Sequence, residues 1–574
     1  MKSRWLAYAL ALVAPTALGV GCKGGGSSIS FLEIVETAPL EGQTEVPVET
    51  RIGFRVNAPI DPDTLGTDTV FLTDDEGALV PSTVAVGDEP DVAELMPDAP
   101  LDVITTFTVT VTTGLAAQGG ATLEQDYTWK FTTLDSAWGT SQWLEQIGTG
   151  VSDQHQIAVD GQSNALAVWQ YTEPEGSRVW ANRYTRADTW GTPEPISNGV
   201  NLASNPRLAA DGAGNGFAVW EEMLDLNLVN IYTSRYVVDQ GWEDPSLLQS
   251  GEVTNARSPS VAADPTGNAI AVWVQRATTG ADQVIWASRY EPGAGWDTAA
   301  PIDSSPTATA GEKVSIGMDA DGNAIAVWAR PSVPTAGGFS EVLWANRYVA
   351  GVGWGTAERI KPDSETRARD ERLAVGPNGD AFVIWVQNDP MRLCAKSPTT
   401  DAPCDDIWAI RFSGSSWGTP ERIDDYDDDF KNEPDIAVDG TGMAYAVWSQ
   451  DDPDFKNIWA VEYTPGPGWG TPELIEPANA DPNEDGDATT PRVGVNAAGN
   501  VFVVWRQIWD SWGSIWSNRH DPGEAWVKEN AELIEDIERA AKLPKIAVDE
   551  NRHAHAVWLH NNAGADWVRT NRFE

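Results

Sequence analysis

The sequence predicts an all-β protein in two parts: a small β-sandwich, then an eight-bladed β-propeller closed by pairing of its first and last strands. Three observations carry that prediction. The phrase DGNAIAVWAR (321–330) returns as TGNAIAVWVQ (266–275), GQSNALAVWQ (161–170) and TGMAYAVWSQ (441–450). The Trp ending that strand recurs as Trp169, Trp220, Trp273, Trp328, Trp385, Trp448, Trp505 and Trp558, about every 56 residues, and a long repeat of four short strands is the mark of propeller blades. Ahead of the repeats, residues 30–133 hold short alternating runs such as RIGFRVN and TFTVTVTTG, which read as strands between turns.

The first residues read as an address. Lys2 and Arg4 precede LAYALALVAPTALGV, which is apolar but too short to span a bilayer. Leu18, Val20 and Gly21 before Cys22 resemble the end of a bacterial lipoprotein signal, although Gly19 stands where Leu is preferred. The resemblance implies cleavage after residue 21 and acylation of Cys22. Lys23 follows rather than Asp, which points to the outer membrane or cell surface. Residues 22–29 then form a Gly/Ser tether. The remaining cysteines, Cys394 and Cys404, read as a disulfide in an exported protein.

Charge narrows the partners. With 85 Asp and Glu against 38 Lys and Arg, the net charge is −47. Such a surface is repelled by nucleic-acid phosphates and anionic headgroups. Nucleic acid is therefore excluded, and membrane contact falls to the acyl anchor.

The stretch APLEGQTEVPVETRIGFRVNAPIDPDTL and the ending YTWKFTT resemble bacterial Ig-like domains of the S-layer (SbsA-like) group. The resemblance covers nearly all of 30–133. It implies an Ig-like β-sandwich of about seven strands that serves as a spacer or stalk, and it carries over no catalytic residue.

Each repeat in 137–574 has four strands, A to D: an apolar strand ending near Asp, the NAIAVW strand, the IWANRY strand and GWGTPERI. The chain stops after the eighth strand C, while an orphan strand D, WGTSQWLEQI (138–147), opens the region. It is expected to complete blade eight and remove the open edge. Twenty-three of the 28 Trp fall at three repeating positions, as blades buried on both faces require. The Asp-Gly-Asn of DADGN (319–323) reads as a tight turn, since the ligand ladder of a calcium loop is missing. The repeated Arg of NRY (Arg183, Arg235, Arg289 and Arg347) reads as the partner of an acidic neighbour in its own blade, or as a ring that could bind an anion.

Strand direction alternates, so the uniform A–B and C–D turns share one face and the irregular B–C and D–A connections share the other. Function is expected there. Asp425, Asp427 and Asp429, with Asp451, Asp452 and Asp454, offer oxygen ligands for calcium, or a solvated acidic loop. Trp509, Trp512, Tyr426 and Phe455 offer rings to a sugar or peptide, or cap the blade. His553, His555 and His560 read as structural. The repeats loosely resemble sialidase propellers, but the Asp-box Ser is missing and no Arg triad maps. The expected function is a lipid-anchored binding or scaffold protein for a surface protein or glycan, and not an enzyme. The alternatives are a glycoside hydrolase-like enzyme on the same propeller and a structural envelope component.

Overall fold

The computed structural model describes residues 31–574 except 49, 76, 99–100, 102–104, 134–136, 146–147, 149, 186–188, 226–227, 250–254, 277–282, 304–312, 332–340, 362–367, 398–399, 425–429, 452–454, 477–485, 510–511, 536–539 and 563. Two compact units divide at residues 136 and 137. In the first, one sheet orders Ile34–Ala38, Ile52–Val56, Val92–Pro97 and Ser82–Val86. The other orders Gln43–Val46, Tyr127–Thr133, Thr106–Val111, Val70–Thr73 and Leu79–Val80. Alternation places Phe54, Leu72, Leu95, Phe107, Trp129 and Phe131 between the sheets, so the polar half of each run faces water.

The second unit is the propeller, with eight sheets. Strands A are Val151–Val159, Leu202–Ala210, Ala256–Ala263, Val314–Met318, Ala368–Val375, Lys431–Val438, Asp487–Val495 and Ala541–Val548. They touch one another in sequence, and the eighth returns to the first. They converge closely near the axis: a Cβ on Gly317 would lie 2.6 Å from Val375 of the next blade, and one on Gly494 would lie 2.8 Å from Val548. Gln142–Trp143 pairs with Ala565–Phe573, and Trp138 bridges Phe573. The N-terminal strand therefore closes blade eight. In blades one to six strand D is two short pieces, such as Gly295–Trp296 and Ala300–Pro301, both paired with strand C.

All eight strand-B Trp side chains are fully buried, each contributing about 2–3 kcal/mol. In five blades the indole N–H donates to Gln or Glu two residues on, as from Trp273 to Gln275 (2.7 Å) and from Trp505 to Gln507 (2.9 Å). Blade eight departs from the expected Trp pattern. Trp558 is opposite Arg569, not Trp567, and the Arg569 guanidinium stacks on Trp143, 4.6 Å from its centroid.

The A–B turns are built by their Asp. Asp319 Oδ1 accepts the N–H groups of Asp321 (3.0 Å) and Asn323 (2.8 Å), and Oδ2 accepts the Asn323 amide. This is an Asx-type turn. Gly214 in the blade-two turn has φ +88°, and a Cβ there would lie 2.6 Å from Asp160 of blade one, so only glycine fits without strain.

The strand-C Arg has a partner the sequence reading missed. Arg183 lies over Tyr236 of the next blade, Arg235 over Tyr290, Arg289 over Tyr348, Arg347 over Phe412, Arg411 over Tyr463, Arg519 over Phe573 and Arg572 over Tyr184, at 4.8–5.9 Å. The expected acidic neighbour in the same blade is also present in places, as Asp380 for Arg411 (2.8 Å). A repeat motif shows one blade at a time, so the aromatic ring about 55 residues further on escapes it. At the sixth junction Glu462 replaces Arg and His520 replaces the ring. They pair at 2.9 Å, so the latch is kept with its chemistry exchanged.

Candidate functional site

The axis of the propeller holds a polar cavity of about 510 Å³ lined by the inner strands. One residue per blade faces it from the same register position, opposite the residue before the strand-B Trp. These are Gln156, Arg207, Ser260, Ser315, Arg372, Asp435, Arg492 and Lys545. Local backbone sets this position. In seven blades strand A bulges just before it. The residue two earlier takes the left-handed conformation: Gln154, Asn205, Ser258, Asp370, Glu433, Thr490 and Leu543, with φ 51–57°. In five of these a Pro follows, as in NPR (205–207) and TPR (490–492), and it has no N–H to lose from the ladder. None of the seven is Gly, and Thr490 is β-branched, so each position stores strain.

The site is basic inside an acidic chain. Arg372 Nε lies 3.6 Å from Asp435 Oδ1, while Asp435 Oδ2 accepts the N–H of Val493 (3.1 Å). Arg207 and Arg372 each donate to the carbonyl of the preceding residue, at 2.8 and 3.1 Å. Arg207, Arg492 and Lys545 have no salt bridge among the described residues. Burial, reinforced by Arg492 and Arg372 and opposed by Asp435, brings the Lys545 amine down to about 7. Burial also lowers Arg207 and Arg492, and raises the Glu371 carboxyl in the same cavity. His155, behind the ring, is pulled to about 3 by burial and by Lys545. A groove of about 480 Å³ in the sandwich is mainly apolar, and there Arg55 is engaged by Glu89 and Asp91.

Of the residues singled out from sequence, Cys22, Asp425, Tyr426, Asp427, Asp429, Asp452 and Asp454 lie outside the described residues. Asp451 pairs with Lys456 at the end of the blade-six hairpin, and Phe455 is half-buried beside it. Among the described residues no group of three or more His, Cys, Asp or Glu is placed to hold a metal ion. Trp509 ends strand B and Trp512 begins strand C of blade seven, directly opposed in register. His555 is fully buried against Tyr184, His553 pairs with Asp549, and His560 sits 3.6 Å from Glu535.

Cys394 and Cys404 are joined, with Cα atoms 5.0 Å apart. They sit within a long hairpin: strands Ala381–Ser397 and Thr400–Ser413 have 17 and 14 residues. Pro390 and Pro403 lie within these strands, and the pairing shifts register between Asp389 and Leu393.

Residues 30–133 match the bacterial Ig-like domain family, and residues 137–574 form an eight-bladed β-propeller. No curated protein matches the chain. Three solved structures resemble it distantly. The β-propeller domain of the Trilobed protease from Pyrococcus furiosus is 8% identical, covering 69% of this chain and 97% of that one, at a TM-score of 0.38. A polysaccharide lyase, an ulvan lyase of family PL25, is 11% identical over 65% and 94%, at 0.40. An α-L-arabinofuranosidase from Fusarium graminearum is 10% identical over 56% and 93%, at 0.34. Similarity this low assigns no activity.

Proposed function

We propose that this is a lipid-anchored surface binding protein. Cys22 carries the anchor, 30–133 is the spacer, and the propeller recognises a protein or glycan at the cell surface. One observation supports the reading most. Eight blades repeat one frame, yet at the position facing the cavity they carry Gln, Arg, Ser, Ser, Arg, Asp, Arg and Lys. A repeated frame with a non-repeated, polar, concave lining suits recognition better than spacing.

Two experiments test it. Cys22→Ser is expected to move the protein from the membrane fraction to the soluble one. The full chain carrying Cys22→Ser, presented to arrays of envelope glycans and surface proteins, is expected to bind one class saturably. An empty array would favour the structural envelope component. The enzyme reading is supported by Glu371 and Asp435 sharing the cavity with Lys545, an amine held near neutrality. Cleavage of an array-positive polysaccharide that Glu371→Gln abolishes would favour it. Calcium is proposed at Asp425, Asp427 and Asp429. A calcium-dependent rise in unfolding midpoint, lost in Asp427→Ala with Asp429→Ala, would support it, and an unchanged midpoint would remove calcium.

A further inference from the structure

We propose that the central channel is an oxyanion site, which takes a compact carboxylate, sulfate or phosphate group, either free or carried on an acidic saccharide. The proposal rests on the binding reading above and names the chemistry of its ligand.

The first argument is charge. The chain as a whole is −47, yet Arg207, Arg372, Arg492 and Lys545 meet in one cavity. Among the described residues Asp435 makes direct contact with Arg372 and the Val493 N–H, and it acts on Arg492 and Lys545 at longer range. Lys313 adds a fifth cation to the lining, while of the other two carboxylates there Asp370 is engaged by Arg369 at 2.7 Å and Glu371 is raised by burial. Like charges in a confined space repel, and unpaired buried cations are costly. A fold that needed only to fill its axis could have repeated Ser260 and Ser315 in every blade.

The second argument is that the cations are held ready. The backbone carbonyls of Pro206 and Glu371 fix one arm of Arg207 and of Arg372. The Lys545 ammonium has no hydrogen bond or salt bridge among the described residues, although it lines the cavity. Guanidinium forks match planar or tetrahedral oxyanions in two-point bonds. The strained bulge beside seven of the eight ring residues is the kind of local cost that collects at binding sites. The volume, about 510 Å³, is within the usual range for a small ligand and suits a citrate or one uronic acid residue.

Two consequences separate this from a water-filled axis. An anion near Lys545 favours its charged form, so binding at pH 8 takes up protons. The groups facing Lys545 are Arg492, Arg372, Arg207 and Asp435, with His155 behind it, and the Lys545 amine is brought to about 7. The acidic exterior repels the same anions from outside, so moderate salt speeds their arrival while weakening the bound contact.

The test is titration calorimetry on the full chain carrying Cys22→Ser. The probes are sulfate, phosphate, citrate, glucuronate and a glucuronate oligomer, with glucose as the neutral control, in buffers of different ionisation enthalpy at pH 6 and pH 8. At least one anion is expected to bind one to one. Arg492→Ser and Lys545→Gln each weaken it roughly tenfold or more, and the proton uptake at pH 8 disappears with Lys545→Gln. Other blades carry Ser and Gln at the ring position, so these variants keep a side chain the frame accepts, which an unchanged circular dichroism spectrum checks. Binding of free ions assigns a free ligand, and binding of the oligomer alone assigns an acidic glycan. No binding to any anion, or binding equal in wild type and both variants, overturns the proposal. A protein or neutral glycan captured on the arrays without anion binding leaves the binding reading standing. Anion binding with empty arrays removes the macromolecular partner instead.

Discussion

On the face of the short turns, the Arg of one blade lies over the aromatic ring of the next, seven times round. In the channel, the same eight blades supply five different residue types at one register position. The outer ring must solve one packing problem at every junction, so it repeats a solution worth about 0.5–2 kcal/mol each time. Where it departs, at Glu462 and His520, both partners change together and the contact survives. The channel has no such pairing rule. Its Arg207, Arg492 and Lys545 have no salt bridge among the described residues and sit beside backbone strain. The difference teaches that repetition within this chain marks what holds the blades together, while the varied ring is where the proposed recognition falls.

The comparison breaks most visibly at the seam. Arg572→Ala removes the latch between blade eight and Tyr184 of blade one, where the guanidinium is nearly buried and also meets Glu574. Urea unfolding is expected to show a loss of about 2 kcal/mol, and a change under about 0.5 kcal/mol would reduce the outer ring to surface decoration.

The inner ring is expected to give the opposite sign. Lys545→Met should stabilise the protein by about 1–2 kcal/mol at pH 6 without anion. The amine titrates near 7 when folded, below its ordinary 10.5. Between those values the unfolded chain binds more protons, so wild-type stability rises with pH and the advantage of Met fades by about pH 10. A destabilising Lys545→Met at pH 6 would place Lys545 in the scaffold.

The exchanged latch gives the smallest effect. Burial would lower the His520 pKa, but the hydrogen bond and ion pair with Glu462 raise it above its ordinary value. Its contribution is therefore complete below about pH 6.5 and is lost as pH rises through the raised value. Glu462→Gln should cost about 1 kcal/mol at pH 6 and almost nothing at pH 9. The double change Glu462→Arg with His520→Tyr should restore the latch without its pH dependence.

Much of the architecture was legible because propellers write it periodically. The strand-B Trp gave the blade count, and WGTSQWLEQI (138–147) gave the closing strand because it copies a motif found elsewhere in the chain. The channel ring was not read. It is one residue per repeat, deliberately unlike its counterparts, beside a bulge that disturbs strand alternation. A signal existed: the ring residue stands four before the A–B turn residue, as Arg207 before Asp211 and Lys545 before Asp549, often directly after Pro. Reading that column down the repeats would have exposed the cations. The cross-blade latch was missed for a related reason, since Arg183 and Tyr236 belong to different repeats.

The most direct test of the channel as the recognition site is anomalous diffraction from crystals grown with selenate. The predicted result is a selenium peak on the propeller axis, bounded by Arg207, Arg372, Arg492 and Lys545. Selenate bound elsewhere on the surface, with only water on the axis, would contradict it.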